Sequence, residues 1–310
     1  MLSYIFKRIL FLIPTLYCVV TVVFFLVHII PGDPVDFILG ERALAVDRAK
    51  MVHDLKLDRP LWVQHSYFIN DVLHGNLGHS LYDQQAPVTQ LIAARFPQTL
   101  KLALAAMLVS LTIAIPLGLI SAIKKDKFCD HSAMFFSLLG ISIPHFYLGP
   151  LLILLFAIYL GWLPVSGNEG ATSIVMPALT LGTALAAMVS RMTRSSMVEV
   201  MKLDYVRTAR AKGLKERKVL LGHAFRSALI PIVTIIGLQF GALLAGTVVT
   251  EKIFNWPGLG SLLLEAIEKR NYPVVQGCVL TIAVTFIVVN MLTDLFYAYL
   301  DPRVELGKSQ

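Results

Sequence analysis

Apolar residues in this chain do not alternate with polar ones at the two-residue period of a half-buried strand. They come in long runs: residues 9–30, 96–123, 133–160, 177–189, 229–249 and 274–300. Runs of this kind predict about six membrane-spanning helices. Between the first and second run lies the longest polar stretch, residues 31–97. Pro31-Gly32-Asp33-Pro34 stops the first helix. Helical spacing follows at 43–55 and 61–73, broken by Asp58-Arg59-Pro60, and Gly75 to Ser80 reads as a turn-rich loop. This predicts a small helical cap outside the membrane. Residues 251–272 carry FNWPGLG and RNYPVVQ, which predict a short outer helix bounded by prolines. The expected fold is an all-α membrane protein. Its parts are an N-terminal span (1–30), an extracytoplasmic cap (31–97), a core of five spans (98–300) and a tail (301–310).

Composition supports this reading. Of 310 residues, 56% are hydrophobic and only 15% charged, with a mean hydropathy of +0.70. A soluble domain of that length needs more charged surface. The net charge of +7 is no nucleic-acid signature, because the basic residues gather at membrane edges. Lys7, Arg8, Lys124, Lys125, Lys127, the basic stretch after the fourth run and Arg303 fall on one side of the predicted spans. That side is expected to be the cytoplasm, which places both termini inside. The first run is too long for a signal-peptide core and ends in HIIPGDP, so it reads as a retained span. Cys18, Cys129 and Cys278 are far apart and show no ligand spacing, so neither a disulfide nor a metal site is expected.

The densest basic stretch is residues 204–227, DYVRTARAKGLKERKVLLGHAFRS. Val206, Ala209, Gly213 and Leu214 can share one helical face, while Arg207, Arg210 and Lys212 point elsewhere. Gly213 either breaks the helix or admits another backbone. Val219-Leu220-Leu221 supply a second apolar turn. The stretch reads as two short helices with a bend, offering a surface to a partner. The plainer alternative is a solvated loop that orients the chain and touches anionic lipid.

Candidate chemistry is sparse. The phosphate-cradling string GxxxxGK[ST] does not occur, and no paired carboxylates or His/Cys clusters stand at catalytic spacing. The chain is expected to be a pore subunit without an ATPase site or cofactor of its own. His28, His145, Arg191 and Asp294 are among the few ionisable groups in or near the spans. Asn290 and Asp294 are one turn apart, and Ser142 and Gln239 add possible polar lining. Asp294 reads first as a local partner of Arg191 or Arg303, and second as part of a substrate path. Glycines such as Gly118, Gly140, Gly182, Gly237 and Gly241 allow close helix packing.

Several strings resemble the first permease subunit of the dipeptide/oligopeptide/nickel branch of binding-protein-dependent ABC importers. They are MLSYIFKRILFLIPT, HIIPGDPV, GNLGHS, RMTRSSMVEV, DYVRTARAKGL, IGLQFGALLAG, EKIFNWPGLG, RNYPVVQ and a closing NxxxDxxYxxxDPR. The resemblance implies an inner-membrane transport subunit working with a second, homologous permease, two ATP-binding subunits and an extracytoplasmic substrate-binding protein. ATP and Mg would sit on the partners. It also implies that 204–227 is the coupling loop that docks on an ATPase, through Arg207, Thr208, Ala209, Arg210, Lys212, Gly213 and Leu214. Gly213 and Ala209 take the places of the glycine and second alanine of the family's E-A-A pattern. Arg207 and Thr208 stand where Glu and the first Ala would be, and His223 to Arg226 where I-x-L-P would be. The fifth span lies near the translocation path in that family, which places Gln239 and Gly241 there. Dipeptides or oligopeptides are the expected cargo, with glutathione or a nickel chelate as alternatives. A different class, an ion-coupled secondary carrier, predicts several buried carboxylates, where the spans offer chiefly Asp294.

Overall fold

The computed structural model describes residues 2–29, 45–54, 57–82 and 86–300. The turn at 31–34, the start of the cap and the tail with Arg303 lie outside the described residues. Among those described, the chain is α-helical without strands, apart from an isolated bridge between His79 and Pro87. The helices are α1 (Leu2–Ile29), α2 (Ala45–Asp54), α3 (Leu61–Leu73), α4 (Val88–Ile123), α5 (Phe128–Ser142), α6 (His145–Leu152), α7 (Val175–Val200), α8 (Asp204–Ala211), α9 (Phe225–Ile253), α10 (Leu259–Glu268) and α11 (Tyr272–Leu300). Two π-helical segments, Ile153–Tyr159 and Lys218–Ala224, extend α6 and lead into α9.

The all-α membrane architecture is as expected. Val88–Ile123, Val175–Val200, Lys218–Leu244 and Tyr272–Leu295 are long and apolar enough to cross a membrane. Phe128–Ser142 and His145–Tyr159 pass the same test only together, and they meet at 102°. Leu10–Phe25 of α1 is a shorter apolar stretch.

Four details depart from the expected elements. The run 133–160 is not one rod. Ile143 adopts extended backbone before Pro144, which the proline ring imposes on its predecessor, and the helix breaks there. The run 177–189 does not end before Arg191, because α7 continues through Arg191 and Arg194 to Val200. The second span, expected to begin at Phe96, belongs to α4, which starts already at Val88. Val219 to Leu221 form no separate short helix; they are the lead-in to α9.

Two compact units emerge. One comprises Leu100–Trp256, with the start of α1 as far as Ile5 and the end of α11 from Phe286. Its centre is α7, where Leu181, Leu185, Val189, Thr193 and Met197 are buried. Small residues let the neighbours of α7 approach its backbone. A Cβ on Gly182 would lie 2.7 Å from the Ala106 carbonyl of α4, and one on Gly118 of α4 would lie 2.5 Å from Thr193 Cβ.

The other unit comprises the described residues of Phe6–Thr99 and Pro257–Thr285. Here α10, the expected proline-bounded helix, packs Leu259, Leu262 and Ala266 with Val88 and Ile92 of α4 and with Val274, Val275 and Cys278 of α11. The Leu259 N–H donates to Thr99 Oγ1 at 2.7 Å, and Asn271 Nδ2 donates to Ser80 Oγ at 2.8 Å. Thr21 of α1 meets His65 of α3 at 3.1 Å.

Candidate functional site

The basic bend is built on α8. Leu203 is extended, and the helix starts at Asp204, whose carboxylate suits the positive end of the helix dipole. Its apolar face turns inward: Val206 is fully buried and Ala209 nearly so, in one cluster with Ala122, Met197, Val219 and Leu220. Leu214 packs against the same cluster. Arg207, Thr208, Arg210 and Lys212 are exposed. Ala209 and Leu214 therefore seat the bend, and the four polar residues remain available to a partner.

Gly213 does not share the face of Val206 and Ala209. It follows the helix with φ +75°, and nothing lies within 4 Å of where its Cβ would be. Its role is conformational: only glycine enters this backbone region freely, and the chain turns there. Across the turn, Arg210 Nη2 donates to Glu216 Oε1 at 2.7 Å. That hydrogen bond holds the Glu216 carboxyl below its ordinary value and raises Arg210 above its own. Tyr205 donates to Ser227 Oγ at 2.9 Å, tying α8 to the start of α9.

The candidate path residues fall into two groups. On α9, Gln239 is half-buried with Nε2 2.9 Å from Met188 Sδ. Gly241 is buried, and its Cβ would lie 3.2 Å from the Phe286 ring and 3.5 Å from Asn290 Oδ1 of α11. The helices therefore bring Gly241 and Asn290 together. Asp294 is half-buried one turn further along α11. Ser142 stands apart: it is exposed at the break after α5, and its hydroxyl donates to Leu138 O of its own helix. Gly237 packs so closely on α11 that its Cβ would be 2.1 Å from Thr293 Cγ2.

One constellation escaped the sequence reading. Asp130, in the first turn of α5, is 1% exposed and accepts from four donors. Arg194 of α7 reaches it through Nε and Nη2, both at 2.6 Å. The Ser121 hydroxyl of α4 donates to Oδ1, and the Asp126 N–H to Oδ2 at 2.9 Å. An acidic residue opening a helix just after Lys124, Lys125 and Lys127 was the available signal. The apolar run begins only at Ala133, which leaves Asp130 outside the predicted span. Among the described residues no group of three or more His, Cys, Asp or Glu is placed to hold a metal.

Residues 114–306 match the family described as binding-protein-dependent transport system inner membrane component, and residues 1–103 match its N-terminal counterpart. The chain is 45% identical over 304 residues to the glutathione transport system permease protein GsiC of Pectobacterium atrosepticum, covering 98% of this chain and 99% of that protein. It is 44% identical, with the same coverage, to the GsiC protein of Escherichia coli (strain K12). Among solved structures, a chain of the inward-facing MetNI methionine ABC transporter superposes with TM-score 0.60 at 14% identity, covering 68% of this chain and 97% of that one. A chain of an amino acid ABC transporter with histidines gives 0.50 at 18%, covering 70% and 95%. At such identities these two speak for the fold alone. With family matches along almost its whole length, the chain belongs to the binding-protein-dependent transport system inner membrane components, as a permease subunit of an ABC importer.

Proposed function

We propose that this permease carries glutathione, or a short peptide closely like it, across the inner membrane. The observation behind the proposal is the 45% identity, from end to end, with permeases named for glutathione transport. That favours glutathione over the dipeptides first expected. Asn290, beside Gly241 where α9 meets α11, carries an amide able to hydrogen-bond the amides of such a cargo, with Gln239 and Asp294 as further candidates on the same two helices.

In this reading α8 is the coupling helix. Arg207, Thr208, Arg210 and Lys212 contact an ATP-binding partner, while Ala209, Gly213 and Leu214 hold the bend in shape. The bend and both termini face the cytoplasm, and residues 31–97 form the outer cap. The working unit pairs this chain with a second permease, two subunits that bind ATP and Mg, and an external binding protein. ATP-driven closure of the partners moves α8, and the spans answer by opening toward the binding protein.

The test is uptake of radiolabelled glutathione into proteoliposomes holding the assembled transporter and its binding protein. ATP-dependent uptake that excess glutathione suppresses, and a dipeptide or nickel chelate does not, is the expected result. Suppression by dipeptide instead returns the assignment to peptides. Uptake driven by a proton gradient without ATP overturns the importer mechanism.

A further inference from the structure

We propose that Asp130 is a positioning residue of the transport cycle: by gripping Arg194 it bolts α5 and α7 into one body that carries movement of the basic bend into the membrane. This rests on the importer reading above.

A continuous line of contacts joins the two helices. After Asp130–Arg194 comes Ser137 Oγ to Ser190 Oγ at 2.9 Å. Next, a Cβ on Gly140 would lie 3.3 Å from both Ala187 Cβ and the Thr183 carbonyl. Just past the break at Pro144, His145 Nδ1 lies 3.1 Å from the Thr180 carbonyl. Positions rise along α5 as they fall along α7, so the helices run antiparallel. The line from Asp130 to the end of α5 spans about 18 Å at 1.5 Å per residue. Beyond it the chain turns by 102°, so compliance sits at Ile143–Pro144 and not between α5 and α7.

The same network touches the bend. Ser121, a donor to Asp130, adjoins Ala122, and Met197 lies one turn beyond Arg194. Ala122 and Met197 share the apolar cluster that seats Val206 and Ala209 of α8. A displacement of α8 therefore presses on a group whose three helices are locked by one carboxylate. A buried ion pair costs desolvation that apolar packing avoids, so it is weak as a device for stability alone. What the four-donor grip adds is a fixed register between helices.

The experiment uses the assembled transporter in proteoliposomes, with Cys18, Cys129 and Cys278 replaced by alanine. Ser137→Cys and Ser190→Cys are introduced together and oxidised. ATP hydrolysis and uptake are read for whichever of labelled glutathione and a labelled dipeptide the parent carries. The cross-linked protein is expected to keep uptake within two-fold of its reduced form. Asp130→Asn is expected to copurify with its partners and hydrolyse ATP, with uptake per ATP at least ten-fold lower. The cross-link is expected to restore most of that loss. Cross-linking that abolishes uptake in the parent, or Asp130→Asn that leaves uptake per ATP unchanged, overturns the proposal. Should Asp130→Asn fail to assemble, the cross-link in the parent decides alone. A parent with no ATP-driven uptake of either compound overturns the importer reading, and the role of Asp130 with it.

Discussion

Arg194 holds Asp130 with both arms, Nε on Oδ1 and Nη2 on Oδ2, each at 2.6 Å and across 64 residues of chain. The carboxylate is buried, while the guanidinium side chain keeps 25% of its exposure. Planar fork meets planar carboxylate, the arrangement in which arginine cannot be replaced by lysine without loss. This pair closes the turn between α4 and α5 and attaches it to α7.

The costs of removing Asp130 and Arg194 are expected not to add. Asp130→Ala leaves Arg194, the Ser121 hydroxyl and the Asp126 N–H without their acceptor, at a cost of roughly 3 kcal/mol. Asp130→Ala with Arg194→Ala is expected to cost less than the two single changes added. Thermal unfolding of the four proteins in detergent measures it; additivity within error refutes the coupling.

Gly237 and Gly213 are expected to fail for different reasons. Gly237→Ala sets a Cβ 2.1 Å from Thr293 Cγ2, so α9 and α11 must part, at about 1–3 kcal/mol. Gly213→Ala meets empty space and suffers only the positive φ, about 1 kcal/mol. Thr293→Ala removes the two nearest atoms but leaves its own Cβ at 2.8 Å, so it is expected to relieve the first only in part and leave the second unchanged, as unfolding of the double variants would report.

On α8, exposure separates docking from folding. Arg207→Glu lies on the outward face and is expected to change stability by no more than about 0.5 kcal/mol. Under the proposed function it loses copurification with the ATPase partners. Val206→Asp puts an unpaired carboxylate at a fully buried position and is expected to lower the amount of folded protein outright. An Arg207→Glu protein that still binds its partners with parent affinity refutes docking through this residue.

The Arg210–Glu216 pair gives a weak pH signature. Hydrogen bonding from Arg210 depresses the carboxyl, so its stabilisation is present above the ordinary Glu value of about 4.3 and fades as pH falls through the lowered one. Both side chains are substantially exposed, at 41% and 56%, which limits the effect to about 0.5 kcal/mol. The melting-point gap between the parent and Glu216→Gln is expected to be constant from pH 6 to 8 and to close below pH 4. A gap that widens on acidification contradicts this.

The apolar, helical character of the spans and the cationic character of the bend were legible in the sequence for a physical reason, while the number of spans was not. A bilayer core requires long apolar helices, and cationic loops gather at its edge, so both leave a local mark. The bend was legible in part. The inward set of Val206 and Ala209 follows from helical spacing, but the place of Gly213 outside that face depended on where the helix stopped.

By itself, then, the chain determined its class, its apolar segments and its family strings, because each of these is written in adjacent residues. Only the tertiary structure decided that α7 runs on past Arg191 and Arg194, that Gly241 meets Asn290, and that Asp130 is the point where three helices join. Those outcomes depend on pairings between residues far apart in sequence. Arg194 stands between Thr193 and Ser195 and is received by a carboxylate 64 residues away, and no local pattern names that partner.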